Sequence, residues 1–270
     1  MRTPRFVQFV IKVSKFCNLR CLYCYEFPDL AKRDAMSLSQ LCTMYTSIRD
    51  YYSARDREDG EVTEVRFIWH GGEPLLQTPS FYWRTFSDQR AILCDAHPIK
   101  NLVQTNLTIL DNDRIELLRN GFDNVGVSID LFGDLRVNVG GKQSQEHVLY
   151  NINLLQQAGI EFGAITVLTK ANLPHLRKIW SFYVRSGIQF SILPLFEGAF
   201  QNQHASYDIT IRETLDAYNQ MIDWWLESDT LVRVTPIVEH IQSVLKRFLL
   251  NEPPSVYSRR FWIPRATAKW

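Results

Sequence analysis

The stretch Asn124-Val-Gly-Val-Ser-Ile-Asp130 alternates branched apolar residues with small or polar ones. Successive side chains of a strand point to opposite faces. Val125, Val127 and Ile129 are therefore expected to face a layer of helices, and Gly126, Ser128 and Asp130 the other side. An apolar outer face with a polar inner one favours a barrel wall over a flat sheet.

The same parity recurs outward from this stretch. Arg66 and His70 oppose Val65, Phe67 and Trp69; Gln104 and Asn106 oppose Val103 and Thr105; Gln8, Lys12 and Ser14 oppose Val7, Phe9, Ile11 and Val13. A dry interior would leave such groups without partners at about 1–3 kcal/mol each, so the pattern implies a wet or ligand-filled lumen. A slip of one residue or a bulge would reverse any single assignment.

Strand-like runs cover Val7–Val13, Val62–Trp69, Asn101–Thr105, Asn124–Ile129, Glu161–Leu168 and Gln189–Pro194. Helix-like segments alternate with them at Ser37–Tyr52, Ser80–Cys94, Asp111–Asn120, Gln143–Gln157, Leu173–Arg185 and Ile209–Glu227. Ser37, Asp111 and Asn172 suit helix starts, where a side-chain oxygen satisfies an orphan amide. Gly121, Gly159 and Gly187 suit left-handed helix ends. Six βα units in series predict an α/β fold, a partial TIM barrel (βα)6 of parallel strands with outer helices and its functional face at the strand C-termini. A flat doubly wound sheet is the alternative.

One domain over residues 1–235 is expected, followed by a helical and irregular tail over 236–270. The tail contains a helix-like segment, Ile237–Leu250, and the Pro-containing Asn251-Glu-Pro-Pro254.

At 270 residues and 46% hydrophobic composition, the chain can fill a substantial core. A net charge of +1 gives no electrostatic basis for nucleic-acid or membrane partners, leaving small molecules or peptides. No stretch approaches the roughly 20 apolar residues that cross a bilayer. Five cysteines, an odd number, and a start without a signal-peptide pattern fit a soluble protein of the reducing cytoplasm.

Three of those cysteines lie in Lys12-Val-Ser-Lys-Phe-Cys-Asn-Leu-Arg-Cys-Leu-Tyr-Cys-Tyr25, just after the first strand-like run. A structural zinc site needs a fourth Cys or His, and the next candidates, Cys42 and His70, belong to later elements. A [4Fe–4S] cluster normally takes four thiolates, so Cys17, Cys21 and Cys24 would leave one iron open to another ligand.

With aromatic Tyr23 before the last cysteine, this segment resembles the C-x3-C-x-φ-C signature of the radical S-adenosylmethionine (SAM) superfamily. The resemblance implies that SAM chelates the open iron, that the reduced cluster cleaves it, and that the 5′-deoxyadenosyl radical takes hydrogen from a substrate. Trp69-His-Gly-Gly-Glu-Pro-Leu75 looks like the family's GGEP motif, in which Gly71 and Gly72 permit a tight turn beside the ligand and Glu73 accepts a hydrogen bond from the SAM amino group. Gln104-Thr-Asn-Leu107 is similar to a T-N-G element with Leu107 in place of Gly, and implies a contact from Asn106 to SAM or substrate.

Val127-Ser-Ile-Asp-Leu-Phe-Gly-Asp-Leu-Arg136 resembles the V-S-[IL]-D-G…D-x-x-R segment of SPASM-type peptide and protein maturases, the anaerobic sulfatase-maturating enzymes among them. Leu131 stands where Gly is common, and the stretch before Arg136 is shorter. Ser128 and Arg136 match positions that bind the SAM carboxylate and ribose region, Asp130 is a further pocket candidate, and Leu195 is a candidate adenine contact. The resemblance covers roughly residues 6 to 230.

It implies hydrogen abstraction from a peptide or protein side chain in peptide maturation, supplied by an external flavodoxin- or ferredoxin-like one-electron reductant. A small-molecule substrate such as a nucleotide or sugar is the alternative within the same chemistry, and a barrel that binds without turnover lies outside it. No cysteine follows Cys94, whereas SPASM-type maturases carry further cysteines for auxiliary clusters. The chain is thus either a one-cluster enzyme or a truncated relative. His70 is read as bonded to backbone, Cys42 and Cys94 as buried packing, and Trp224, Trp225, Tyr218 and Met221 as a helix face on the barrel. Lys12, Lys15 and Arg20 are available to balance cluster charge.

Overall fold

Runs with a period of two become strands, and the segments between them become helices. The computed structural model describes residues 5–195 and 206–249. Strands β1 (Phe6–Ser14), β2 (Glu64–Gly71), β3 (Ile99–Thr105), β4 (Asn124–Ser128), β5 (Gly163–Leu168), β6 (Phe190–Pro194) and β7 (Val234–Thr235) form one sheet, in chain order and with every neighbouring pair parallel. Helices α1 (Leu38–Asp59), α2 (Pro79–Leu93), α3 (Asn112–Asn120), α4 (Gln145–Gln157), α5 (Leu176–Ser186) and α6 (Ile211–Leu226) connect successive strands, and α7 (Ile237–Leu249) follows β7.

The predicted parity holds. Val65, Phe67 and Trp69 of β2, Val103 of β3, and Val125 and Val127 of β4 are buried in the layer shared with the helices. Trp69 donates its indole N–H to Asn101 at 2.8 Å, and Asn101 donates to Gln89 of α2 at 2.9 Å, so the indole and the Asn101 amide find their partners inside this layer. On the other face Arg66, His70, Gln104 and Ser128 are half-buried and Gln8 and Lys12 exposed, as an open lumen requires. The sheet ends at β1 and β7 without closing, a partial barrel.

Several local expectations change. The sheet gains a seventh strand, which at two residues is too short to carry a readable period. Ser14 is buried instead of lumenal, because the β1–β2 register shifts between Lys12 and Ser14. Gly159 and Gly187 take φ of +67° and +63°, but Gly121 closes α3 at φ −100°. Ser37 and Asp111 cap α1 and α3, accepting from Gln40 and Arg114 amides. Asn172 caps nothing; its side chain ties the turn after β5 by accepting from Thr169 N at 2.8 Å and donating to Val167 O at 2.9 Å. The buried-packing reading of both remaining cysteines is corrected: Cys94, at the C-terminal cap of α2, is exposed, and Cys42 of α1 is only half-buried. The Pro-containing tail expected over 251–270 lies outside the described residues.

Among the described residues no helix is long and apolar enough to cross a membrane.

Candidate active site

The sequence Gly71-Gly72-Glu73 ends β2 against the backbone that leads into the cysteines. Gly72 N donates to Ser14 O at 2.8 Å and Glu73 N to Phe16 O at 3.0 Å. A Cβ on Gly71 would stand 2.3 Å from Ser14 O, and one on Gly72 2.2 Å from Phe16 O, so no larger residue fits either position. Gly71 also takes φ +126°. The glycines thus seat the cysteine loop, a sharper role than a turn beside a ligand. Tyr82 of α2 and Arg114 of α3 secure the turn from below, donating to Pro74 O at 2.9 Å and Leu75 O at 2.8 Å.

The cysteine loop is pinned on its far side as well. Arg20 N donates to Val137 O at 2.7 Å and Leu22 N to Leu135 O at 3.0 Å, so residues 135–137 run beside the loop. Arg136 lies between these pairing residues and is buried. Cys17 is buried, Cys21 and Cys24 half-buried, and all three pack with Leu19 and Leu30. Arg20 donates to the carbonyls of Cys17 and Leu19 at 2.7 Å, while Lys12 pairs with Glu26 and Lys15 with Asp34. The three cations therefore serve the loop backbone and nearby carboxylates.

Glu73 joins the ends of β2 and β3. Its Oε1 accepts from Leu75 N at 2.8 Å and Thr105 Oγ1 at 2.7 Å, and its Oε2 from Asn106 N at 2.6 Å. Burial pushes its carboxyl pKa up, against the lowering effect of these hydrogen bonds. Oε2 keeps a second lone pair for a further donor.

Asp130 is the hub that sequence reading understated. Its Oδ1 accepts from Val167 N at 2.8 Å, and its Oδ2 accepts from Arg136 Nη1 at 3.1 Å and from the Tyr23 hydroxyl. One carboxylate thereby links β5, the segment after β4 and the cysteine loop. Ser128 Oγ accepts from Gln104 Nε2 at 2.9 Å, leaving its own O–H free to donate. Leu195 is buried just past β6, its amide donating to Leu168 O at 2.9 Å. His70 Nδ1 accepts from Gly71 N at 2.8 Å, and burial pushes its pKa down, consistent with the backbone-bonded reading.

Desolvation pushes the Cys17 thiol up to about 11 and the Cys24 thiol up to about 12, and raises Cys21 too. Metal ligation would have to displace those protons. Arg136 Nε is a buried N–H with no acceptor among the described residues. An orphan guanidinium donor beside three soft sulfur donors fits an iron–sulfur cluster with an acidic ligand at its side. Among the described residues no three His, Cys, Asp or Glu side chains converge on one metal position. Ligands to different irons of a cluster stand further apart than ligands of a single ion.

Cys17, Cys21, Cys24, Tyr23, Gly71, Gly72, Glu73, Asn106, Ser128, Arg136 and Leu195 all belong to the C-terminal end of the sheet or the loops leaving it. Cys42 and Cys94 lie apart from it, on α1 and at the end of α2. Asn18, Thr108 and the backbone of Leu135 and Val137 also belong to this end and were missed, because only the folded chain brings them there.

Comparison with known proteins gives a consistent result. The pattern of the radical SAM superfamily matches residues 11–182. A serine-type anaerobic sulfatase-maturating enzyme of Bacteroides thetaiotaomicron is 30% identical over 219 residues, covering 78% of this chain and 51% of that protein. A cysteine-type enzyme of Clostridium novyi is 22% identical over 250 residues, covering 90% and 65%. The chain thus spans about half to two thirds of the length of the curated relatives it matches. Among solved structures, native anSMEcpe with bound AdoMet and Cp18Cys peptide superposes with a TM-score of 0.73 at 20% identity, covering 93% of this chain and 68% of that one. Streptococcus suis SuiB bound to precursor peptide SuiA gives 0.56 at 18%, covering 85% and 48%. These last two likenesses establish the shared fold.

Proposed function

Because the chain belongs to the radical SAM superfamily, we propose that Cys17, Cys21 and Cys24 hold a [4Fe–4S] cluster, that SAM binds beside it, and that hydrogen is abstracted from a peptide or protein side chain in peptide maturation. When bound, the reduced cluster supplies the electron that cleaves SAM to a 5′-deoxyadenosyl radical.

The observation that carries this reading is the orphan Nε of buried Arg136 next to the cysteine loop. Burial works to lower the Arg136 pKa, but the Cys21, Tyr23 and Asp130 groups around it more than offset that effect, so the guanidinium stays charged. A fixed cation with a free donor holds a carboxylate, and the free O–H of Ser128 supplies a second donor for the same SAM group. Glu73 Oε2 accepts from the SAM amino group, Gly71 and Gly72 keep the loop seated, and Leu195 offers an apolar surface to the adenine. Tyr23 orients Asp130, which in turn orients Arg136. The half-buried lumen wall admits substrate while the surrounding barrel limits solvent at the radical.

Peptide substrates are supported by relatives named as sulfatase-maturating enzymes and by structural neighbours bound to peptides. The reductant is an external flavodoxin- or ferredoxin-like donor, and a domain over residues 1–235 carries the chemistry.

The test is anaerobic reconstitution with iron and sulfide, reduction by dithionite, and chromatography for 5′-deoxyadenosine formed from SAM. Product formation is expected from the loaded protein. A loaded, reduced protein that forms none would overturn the enzymatic reading.

A further inference from the structure

Asn106 was expected to touch SAM or substrate, yet its side chain has no hydrogen-bonding capacity left for either. Its Nδ2 carries two hydrogens, directed to Cys17 Sγ at 3.7 Å and to Asn18 Oδ1 at 3.0 Å. Its Oδ1 accepts from Thr108 N at 2.9 Å and Thr108 Oγ1 at 2.6 Å. An amide offers two donors and two acceptor sites, and all four are occupied. The orientation is not interchangeable, since a backbone N–H can only donate and Thr108 N therefore requires the oxygen at Oδ1. The arrangement is closed by Asn18 Nδ2, which donates to Thr108 Oγ1 at 2.8 Å.

The backbone fixes Asn106 with equal firmness. Its own N–H donates to Glu73 Oε2 at 2.6 Å, and the next residue, Leu107, is held through its carbonyl by Asn151 Nδ2 of α4 at 2.8 Å. Cys17 Sγ receives a second N–H, from Leu19 at 3.4 Å.

We propose that Asn106 is a positioning residue that sets the reduction potential of the cluster through an N–H···S hydrogen bond to Cys17. The proposal rests on the cluster reading above. An N–H directed at a ligating sulfur withdraws electron density from it and favours the more negative, reduced cluster, raising the potential. The step is the uptake of one electron from the external donor, with no bond made or broken at Asn106 and no proton moved.

The test is an anaerobic redox titration read by electron paramagnetic resonance of the reduced cluster, on the full chain reconstituted with iron and sulfide. Wild type is compared with Asn106→Ala, Asn106→Asp and Thr108→Ala. Asn106→Asp keeps the acceptor for Thr108 but removes the donor to sulfur and adds a negative charge, whereas Asn106→Ala removes the donor without adding charge. Both Asn106 variants should show about a tenfold lower reduced-to-oxidised ratio at a fixed potential, which for one electron is a shift of about 59 mV to more negative values. Thr108→Ala loosens the same turn without removing Nδ2 and should shift the ratio clearly less than either Asn106 variant. Unchanged ratios in both Asn106 variants, or an equal shift in Thr108→Ala, overturn the role of Asn106 alone. Wild-type protein that gains no iron–sulfur absorption overturns the cluster reading itself, and the proposal with it.

Discussion

Arg136 Nη1 donates to Asp130 Oδ2 at 3.1 Å, with the two side chains only 6% and 1% exposed. The pair has left water almost completely, so its partners within the fold must replace the lost hydration. Asp130 meets that need with donors from Val167 and Tyr23 as well.

Removing one member of such a pair leaves an uncompensated buried charge, which costs about 3–5 kcal/mol. Asp130→Ala should therefore lower the urea-unfolding free energy by that amount. Tyr23→Phe removes a single donor and should cost about 1 kcal/mol. Equal small losses from both would mean that Asp130 is not the hub.

Gly72→Ala forces a Cβ to within 2.2 Å of the Phe16 carbonyl, which is backbone and cannot swing aside. A destabilisation of about 3 kcal/mol is expected, together with impaired iron uptake, because the displaced segment leads directly into Cys17. Denaturant melts and iron quantification would register both.

Cys21→Ala should abolish the visible iron–sulfur absorption of the reconstituted protein. Cys42→Ala, on an outer helix, should retain it. Equal loss from the two would contradict the ligand assignment.

At the opposite end of the sheet, Asp56 accepts from Thr63 N at 2.8 Å and Thr63 Oγ1 at 2.7 Å, and faces Arg5 and His97. Burial works to raise its pKa, but the Thr63 hydrogen bonds and then the Arg5 and His97 charges outweigh that and hold it below the usual carboxylate range. A folded pKa below the unfolded value of about 3.9 contributes stability above that pH, lost as pH falls through the folded value. Asp56→Asn should lower stability at neutral pH and flatten the decline below about pH 4. Urea midpoints measured across that range would reveal an unchanged acid limb if the linkage is absent.

The repeating strand parity made the sheet legible, because each strand buries one face against helices and turns the other to a lumen. It failed at Ser14, where a bulge resets the alternation, and at Val234–Thr235, where two residues contain no period. Gly121 was read as left-handed from residue type alone, yet α3 ends without needing that conformation. The converse case is Leu107, which adopts φ +54° without being glycine. A left-handed residue costs about 1–2 kcal/mol. The burial of its side chain and the bonds from Leu107 N to Thr105 and from Asn151 to Leu107 O hold it there.

The motif residues were legible because their spacing is local. The linking role of Asp130, read from the sequence only as a pocket candidate, was not, because Tyr23, Arg136 and Val167 approach it only after β4 and β5 have paired. The same holds for Asn106, whose saturated amide becomes visible only with Cys17, Asn18 and Thr108 around it.

The cysteine loop hangs between two distant parts of the chain, Ser14–Gly72 and Phe16–Glu73 on one side and Arg20–Val137 and Leu22–Leu135 on the other. Whatever gathers the three sulfurs therefore also clasps the start of the barrel to the segment beyond β4. Cofactor capture and the joining of these two parts of the chain are two readings of one equilibrium: ligand held in the native chain but not in the unfolded one shifts both together.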